Sequence, residues 1–189
     1  MKFQGIVLAG GKSSRFGEDK ALVKVKGVTL LERAMNLLKS LELEPVVITN
    51  DLRNDSFLKC RIEKDIMPHQ GPLGGLYTAC RLFQGASLLV LTCDMPALTI
   101  PLLGTLLARH DRRNSATLFS TRKNRIQPFP GVYEARLSRS IKVALEKDKR
   151  SMRDFLAAVS KKKLIPYEFS PRLFSNINTK EAMDSWALS

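Results

Sequence analysis

Histidine, cysteine and long apolar runs are all scarce in this chain of 189 residues. Its two histidines, His69 and His110, provide little material for histidine-dependent nucleophilic catalysis. The three cysteines lie far apart and form no CxxC motif, so we expect no zinc site and a reduced, cytoplasmic compartment. The longest nearly apolar run, Ala86–Cys93, is far shorter than the roughly 20 residues that a membrane span needs. We therefore expect neither a membrane partner nor a secretory leader.

Acidic residues are also in short supply, above all in the second half of the chain. There are 31 Lys and Arg against 18 Asp and Glu, and residues 96–189 carry +10 of the net charge of +13. Such an excess favours a polyanionic partner, such as nucleic acid, a phosphorylated small molecule or an acidic membrane surface. A solvated basic surface is the alternative. Because no zinc-finger, helix-turn-helix or RNP-type signature accompanies the charge, nucleic acid is not the expected partner.

Short apolar runs alternate with amphipathic stretches through the first 110 residues. Buried strands are predicted over residues 5–9, 45–49 and 87–92, and helices over 30–43, 76–83 and 100–108. This alternation indicates a doubly wound, mostly parallel α/β sheet in one domain. The remainder is less regular: it predicts strands over 116–120, 131–133 and 165–169, and helices over 137–145, 152–159 and 179–188.

The loop after the first predicted strand, Gly10–Lys20, has a composition that suits phosphate. It matches neither the P-loop nor the GxGxxG fingerprint, because the required glycines are missing. Even so, Gly10 and Gly11 would let the backbone approach a ligand closely, and Arg15 and Lys20 would supply cations for a triphosphate. An ordinary loop with exposed charges remains the alternative.

Two further segments follow predicted strands. Asp94 comes after the strand 87–92, where a carboxylate could hold Mg²⁺ together with substrate phosphates, or could simply be a turn or cap residue before Pro96. The segment Gly71-Pro72-Leu73-Gly74-Gly75 reads either as a tight turn or as bare backbone against which a ring can lie. In open α/β sheets, ligands bind outside the carboxyl ends of the strands.

Together these motifs resemble those of the nucleotidyltransferases that attach a nucleoside monophosphate to a phosphorylated acceptor. The resemblance rests on four segments in the family's order: Leu8-Ala9-Gly10-Gly11, Ser14-Arg15-Phe16-Gly17-x-Asp19-Lys20, Gly71–Gly75 and Leu91-Thr92-Cys93-Asp94-Met95-Pro96. Lys149-Arg150-Ser151-Met152 and Asn176-Ile177-Asn178-Thr179 favour the molybdenum cofactor guanylyltransferases within that group. The resemblance spans nearly the whole chain.

This resemblance implies a three-layer α/β/α fold and the transfer of GMP from GTP to molybdopterin cofactor, with release of pyrophosphate. It also implies roles for individual residues. Arg15, Lys20 and Asp94 would be catalytic, and Asp94 would bind Mg²⁺. The nucleotide would be bound by Leu8, Ala9, Gly10, Gly11, Lys20, Asn50, Asp65, Gly71, Gly75 and Asp94. Asn50 and Asp65 have the weakest local motifs, and each could instead be a turn residue.

The acceptor side is assigned to the second half of the chain, with Arg150, Asn176 and Asn178 as its binding residues. A solvated helix face is the alternative reading of Arg150. Sugar-nucleotide relatives often carry a second metal-binding aspartate where this chain has Asn176 or Asn178, which favours a cofactor-type acceptor. The resemblance leaves room for transient contacts with other cofactor-biosynthesis proteins or the target molybdoenzyme. Rival functions are a cytidylyltransferase of the same cofactor, a sugar-phosphate nucleotidyltransferase and a basic nucleic-acid-binding protein.

Overall fold

The computed structural model describes residues 2–10, 20–50, 60–120, 125–166 and 171–177. Its strands are β1 Phe3–Leu8, β2 Lys24–Val25, β3 Val28–Thr29, β4 Pro45–Thr49, β5 Arg61–Lys64, β6 Ser87–Thr92, β7 Ala116–Ser120, β8 Ile126–Glu134 and β9 Lys162–Pro166. Its α-helices are α1 Leu30–Lys39, α2 Gly71–Leu82, α3 Ile100–Arg109, α4 Ser138–Glu146 and α5 Met152–Ala158. Short 3-10 helices span Lys20–Leu22, Ala135–Leu137 and Pro171–Phe174.

Seven strands form one sheet in the order β5-β4-β1-β6-β8-β7-β9. All neighbours pair in parallel except at β8, which is antiparallel to both β6 and β7. Every residue of β4 and β7 is buried, whichever face its side chain takes, so helices cover both faces of the sheet. The α/β fold, with a mostly parallel sheet between two helical layers, is therefore confirmed.

The chain reverses its direction across the sheet at β1. It first moves outward from β1 to β4 and β5, then returns through α2 to β6 on the other side of β1. The carboxyl ends of β1 and β6 consequently flank a topological switch point, which is where open α/β sheets bind ligands. Leu8 pairs with both Ile48 of β4 and Thr92 of β6, so the segments that follow these three strands emerge side by side.

The main correction concerns α2, whose beginning was predicted as a loop over Gly71–Gly75. The helix begins at Gly71, and Pro72 lies in its first turn, where a missing N–H costs nothing. Gly74 and Gly75 lie inside the helix and are buried. Their poor helix propensity is overridden because the helix packs too closely on its neighbours to admit side chains there.

The other elements agree with the predictions to within a few residues, with clear exceptions. Helix α1 ends at Lys39 rather than Leu43, since Glu42 adopts a left-handed backbone with φ of 58°. Strand β8 is far longer than the predicted 131–133, and neither β5 nor the hairpin β2–β3 was predicted. The last predicted strand begins earlier, at Lys162, and residues 167–169 lie outside the described part, as does the predicted helix 179–188. Within the described ranges, no helix has the length and apolarity to cross a membrane.

A buried polar cluster lies at the amino-terminal edge of the sheet, opposite the switch point. Glu134 is only 2% exposed and accepts hydrogen bonds from the Ser87 hydroxyl and from Arg112 Nε at 3.2 Å. Its Oε1 lies 3.0 Å from His110 Nε2, while His110 Nδ1 lies 2.9 Å from the hydroxyl of Thr117. Burial raises the pKa of Glu134, but these hydrogen bonds together lower it by more than burial raises it. The pKa of Glu134 therefore lies below the ordinary value of 4.5.

Candidate active site

Four strands deliver polar or glycine residues to one edge of the sheet. Gly10 follows β1, Asn50 follows β4, Asp65 follows β5, and Asp94 follows β6. The N–H of Ala9 donates to the carbonyl oxygen of Ile48 at 2.9 Å, which extends the pairing of β1 and β4 beyond the strands themselves. As a result the backbones after β1 and β4 stay close together: a Cβ on Gly10 would lie 4.0 Å from the backbone nitrogen of Asn50.

A cleft of about 320 Å³ opens at this edge between β1, β4, Asp65 and the first turn of α2. Six of the residues predicted to bind nucleotide line it: Leu8, Gly10, Asn50, Asp65, Gly71 and Gly75. Ala9 is buried just behind the cleft and contributes its backbone hydrogen bond instead. The structure thus brings together segments that are up to 67 positions apart in the chain, between Leu8 and Gly75.

Four lining residues were not predicted: Ile48, Thr49, His69 and Pro72. Pro72 lies inside the quoted glycine motif, and Ile48 and Thr49 end a predicted strand, so proximity to those motifs was an available signal. His69 had none. It is exposed and adopts a left-handed backbone with φ of 65°, and Gly71 does the same with φ of 63°. These two positions bend the chain so that α2 presents its N-terminal turn to the cleft.

Asp65 is held in place by α2. Its Oδ1 accepts hydrogen bonds from the Thr78 hydroxyl at 2.6 Å and from the N–H of Met67 at 3.1 Å. Thr78 in turn accepts the N–H of Ile66 at 2.9 Å. Among the described residues, no hydrogen bond reaches Oδ2 of Asp65. This oxygen is therefore the one that remains for a ligand in the cleft.

The packing of α2 explains why glycines are needed there. A Cβ on Gly74 would lie 2.9 Å from the carbonyl oxygen of Met67 and 3.1 Å from Oδ2 of Asp65. A Cβ on Gly75 would lie 3.0 Å from Cδ2 of Leu8. Contacts below 3.4 Å are tighter than ordinary van der Waals packing. The bare helix backbone therefore sets the width of the cleft between α2 and the end of β1.

Asn50 contributes an acceptor to the same cleft. Its Oδ1 is buried and has no hydrogen-bond partner within the described part of the chain. A buried polar atom without a partner costs about 1–3 kcal/mol. A donor group on a bound ligand would remove that cost, which is a structural reason to place Asn50 in a binding site rather than in a turn.

Asp94 lies on the other side of the end of β1, after β6. Its Oδ1 is buried, and its backbone carbonyl accepts the N–H of Ile177 at 2.8 Å. This hydrogen bond brings the motif Asn176-Ile177 beside the aspartate, although the two segments are far apart in the chain. Ile177 is buried against Val25 and Leu30, whereas Asn176 is exposed.

Several predicted site residues fall outside the described part of the chain: Gly11, Arg15 and Asn178. Lys20 begins the 3-10 helix Lys20–Leu22, but its side chain is not described. The structure therefore locates the backbone of Lys20, directly before the hairpin β2–β3, and leaves the roles of these four residues as predictions.

Arg150 lies between α4 and α5, and the structure does not bring it to the cleft lining. Its guanidinium forms an ion pair with Asp148 at 2.7 Å, and its side chain is 53% exposed. A second cleft of about 400 Å³ lies between α4 and α5, with Lys147 and Lys149 among its lining residues. The acceptor role of Arg150 stays a prediction.

Comparisons with known proteins agree with this arrangement. The family model described as the MobA-like NTP transferase domain matches residues 5–163. A probable molybdenum cofactor guanylyltransferase of Flavobacterium johnsoniae is 30% identical over 178 residues, covering 94% of this chain and 93% of that protein. A protein of the same description from Bacillus cereus is 32% identical over 192 residues, covering 95% and 93%.

The fold has a similar counterpart among solved structures. The crystal structure of molybdopterin-guanine dinucleotide biosynthesis protein A from Archaeoglobus fulgidus superposes with a TM-score of 0.81 at 21% identity, covering 96% of this chain and 95% of the other. The match to the family model includes both the strands that line the cleft and the aspartate after β6. The chain therefore belongs to the MobA-like NTP transferase family and is a nucleotidyltransferase.

Proposed function

We propose that the enzyme transfers GMP from GTP to the phosphate of molybdopterin cofactor, giving the guanine dinucleotide form and pyrophosphate. One observation carries the proposal: a nucleotide-sized cleft and the carboxylate of Asp94 flank the end of β1, and the acceptor motif Asn176-Ile177 is hydrogen-bonded to that same aspartate. The relatives named above, similar over nearly the full chain, supply the identity of the two substrates.

The acceptors in the cleft support guanine as the base. Oδ1 of Asn50 and Oδ2 of Asp65 are both acceptors that no described residue satisfies. Guanine offers an N2 amino group and an N1–H as neighbouring donors, whereas cytosine offers one N4 amino group beside acceptors. A cleft rich in unsatisfied acceptors therefore matches guanine better, which argues against the cytidylyltransferase alternative.

The carboxylate of Asp94 is the kind of oxygen ligand that Mg²⁺ binds. Within the described residues, no group of three or more His, Cys, Asp or Glu side chains is placed to hold a metal. Mg²⁺ is commonly bound through one or two carboxylates, with substrate phosphates and water completing its shell. A cation held by Asp94 would neutralise the charge that develops on the departing pyrophosphate.

The chain's own residues would position the two anionic substrates. The cleft holds the nucleoside, Lys20 and Arg15 bind the phosphates by their charge, and the basic half of the chain, residues 96–189, attracts the phosphorylated acceptor. The acceptor phosphate needs no general base, because its second pKa is about 6 and it is mostly dianionic at neutral pH. Catalysis then rests on orientation and charge neutralisation, with no covalent enzyme intermediate.

The proposal extends to the enzyme's surroundings. None of the described cysteines, Cys60, Cys80 and Cys93, forms a disulfide, which supports a reduced, cytoplasmic location. We infer no nucleic-acid partner, and transient contact with other cofactor-biosynthesis proteins or the target molybdoenzyme follows from the nature of the product.

Pyrophosphate release with each nucleoside triphosphate, with molybdopterin cofactor and Mg²⁺ supplied, tests the proposal. GTP should give the fastest release, and release should require the acceptor. Faster release with CTP, or release that depends on a sugar phosphate instead, would replace the proposed function by one of its rivals. Asp94→Asn should remove most turnover and leave the melting temperature nearly unchanged, whereas Asp111→Asn, at an aspartate paired with Arg113, should leave turnover intact.

A further inference from the structure

We infer that Ile177 is a positioning residue, which fixes the Asp94 turn against the segment that follows Lys20. The inference rests on the proposed function for the role of Asp94, but its evidence is the packing around Ile177. This packing joins the turn that contains Asp94, the segment that contains Asn176 and the hairpin that follows Lys20.

The side chain of Ile177 closes a small hydrophobic cluster of its own. It is 3% exposed and packs with Val25 of β2 and Leu30 of α1, apart from the main core of the sheet. Cys93 packs against the same cluster and directly precedes Asp94. A change in the volume of Ile177 is therefore felt by the residue next to the metal-binding carboxylate.

The backbone of Ile177 makes a second, independent contact with the same turn. Its N–H donates to the carbonyl oxygen of Asp94 at 2.8 Å. Two contacts therefore hold the Asp94 turn. One is the hydrogen bond from the N–H of Ile177, and the other is the packing of Cys93 against the cluster that contains the Ile177 side chain. Asn176 directly precedes Ile177 in the chain, so this hydrogen bond also ties the backbone beside Asn176 to the Asp94 turn.

The other side of the cluster is tied to the exit of the first loop. Val25 belongs to the hairpin β2–β3, which follows the helical turn that begins at Lys20. The hairpin is anchored to α1 by the N–H of Leu30, which donates to the carbonyl oxygen of Val23 at 3.0 Å. Arg33 Nη2 adds a bond to the carbonyl oxygen of Val25 at 3.2 Å. Ile177 therefore packs against a platform formed by the hairpin β2–β3 and the start of α1. This platform follows Lys20 in the chain.

Truncating Ile177 removes the side chain that joins this platform to the Asp94 turn. The cleft residues Asn50 and Asp65 lie on the far side of β1 and keep their own contacts with α2 and β4. We therefore expect Ile177→Ala to weaken metal binding to the enzyme–nucleotide complex while nucleotide binding without metal is unchanged. A misplacement of about 1 Å can cost as much as a hundredfold in rate, so the position of the Asp94 carboxylate matters for the reaction as well as for metal binding.

The experiment measures Mn²⁺ binding by electron paramagnetic resonance in the presence of GTP and without acceptor, so that it needs no turnover. GTP affinity without metal is measured separately, in a buffer that contains a chelator. Ile177→Ala, Ile177→Val and Asp94→Asn are compared with Ile165→Ala, which truncates an equally buried isoleucine of β9. We expect about tenfold weaker Mn²⁺ binding in Ile177→Ala, equivalent to about 1.4 kcal/mol, and near-complete recovery in Ile177→Val. Ile165→Ala should lower only the melting temperature.

The outcomes separate the inference from the proposed function. If Asp94→Asn weakens Mn²⁺ binding but Ile177→Ala lowers the melting temperature alone, as Ile165→Ala does, Ile177 is merely structural and the inference is overturned. If Asp94→Asn leaves Mn²⁺ binding unchanged, the metal role of Asp94 fails and the inference fails with it. Should Ile177→Ala not fold, Ile177→Val decides: Mn²⁺ binding weakened beyond that of a matched Ile165→Val variant supports the inference, and equal binding in the two overturns it.

Discussion

The hydroxyl of Thr78 donates to Oδ1 of Asp65 at 2.6 Å, and this bond joins the middle of α2 to the end of β5. Both residues are buried. Thr78 lies outside the cleft lining, yet it holds Oδ1 of Asp65 against α2. A helix residue with no direct contact to a ligand therefore orients one of the two side chains that we assign to the base.

Thr78→Val tests this orientation. The variant removes one partner from a buried carboxylate and another from the N–H of Ile66, so the free energy of unfolding should fall by about 1–3 kcal/mol. GTP affinity should fall as well, because only the N–H of Met67 would then hold the orientation of the Asp65 carboxylate. Thr105→Val is the matched control, since its hydroxyl bonds only to the carbonyl of Pro101 on α3. Unchanged GTP affinity in Thr78→Val would show that Asp65 needs no support from α2.

Glycine-to-alanine changes in the helices should lower or raise the free energy of unfolding, depending on the space around each glycine. Gly74→Ala meets the carbonyl of Met67 and the Asp65 carboxylate, so overpacking should cost about 1–3 kcal/mol and weaken GTP binding. Gly104→Ala in α3 meets nothing within 4 Å and should gain up to about 1 kcal/mol from helix propensity. Gly75→Ala should fall between them, since the end of the Leu8 side chain can move aside. Urea unfolding ranks the three variants, and a stabilised Gly74→Ala would contradict the packing described for α2.

Lys20→Ala should reduce catalysis more than stability. A charge-assisted contact is worth about 1.5–3 kcal/mol, which predicts a loss of roughly ten- to a hundredfold in kcat/KM. Lys39→Ala, at an exposed lysine in the last turn of α1, is the control for general loss of charge. If Lys20→Ala unfolds the protein while Lys20→Met does not, the lysine acts through its aliphatic stem, and the phosphate role is wrong.

Arg150→Ala and Asn178→Ala should each weaken acceptor binding and leave the affinity for GTP with Mg²⁺ nearly unchanged. The reason is that the nucleotide motifs all precede residue 96, whereas the excess positive charge follows it. Arg139→Ala removes an exposed arginine of α4 as the control. The competing interpretation is that Arg150 is a surface residue paired with Asp148 and that Asn178 caps a helix, so that neither binds the acceptor. In that case Arg150→Ala is silent, and Asn178→Ala costs about 1 kcal/mol of stability as a lost helix cap.

Glu134 should make the protein acid-sensitive. Its pKa in the folded state lies below the ordinary value of 4.5, so its contribution to stability is fully present above about that pH and is lost as the pH falls through the folded-state pKa. Glu134→Gln should be less stable at neutral pH and should show a flatter decline on the acid side. Urea midpoints between pH 7 and pH 3 provide the measurement, with Glu146→Gln, an exposed residue of α4, as the control. Parallel acid profiles for wild type and Glu134→Gln would refute the assignment.

The strands that build the centre of the sheet could be predicted because burial on both faces leaves continuous apolar runs. Strands β1, β4 and β6 agree with the prediction to within two residues at each end. Strand β5 could not be predicted, since Arg61-Ile62-Glu63-Lys64 pairs only with β4 at the sheet edge and keeps its charged side chains at least partly in solvent. The start of α2 could not be predicted, because glycine has a low helix propensity. Only the tertiary contacts with Leu8 and Met67 explain why glycines lie in this helix.

The site could be predicted where it follows the ends of strands. Asn50 and Asp94 follow strands that the sequence predicted, whereas Asp65 was identified only through the family resemblance, because β5 was not predicted. The structure places Asn50 and Asp65 in one cleft. His69 and Thr78 carried no comparable signal, and Ile177 was noted only as the middle of the motif around Asn176, with no role of its own. Each acts through a left-handed turn or a long-range contact, and neither feature leaves a periodic trace in the sequence.

The hydrogen bond from Ile177 to Asp94 has a consequence for the order in which the protein is completed during synthesis. The strands that line the cleft leave the ribosome long before residue 177 is made, and segments close in sequence can pair as they emerge. A nascent or truncated chain that ends before residue 171 contains every residue described as lining the cleft but lacks the amide that closes the Asp94 turn. Such incomplete chains are expected to hold nucleotide without transferring it, because the Asp94 turn lacks its hydrogen bond from Ile177.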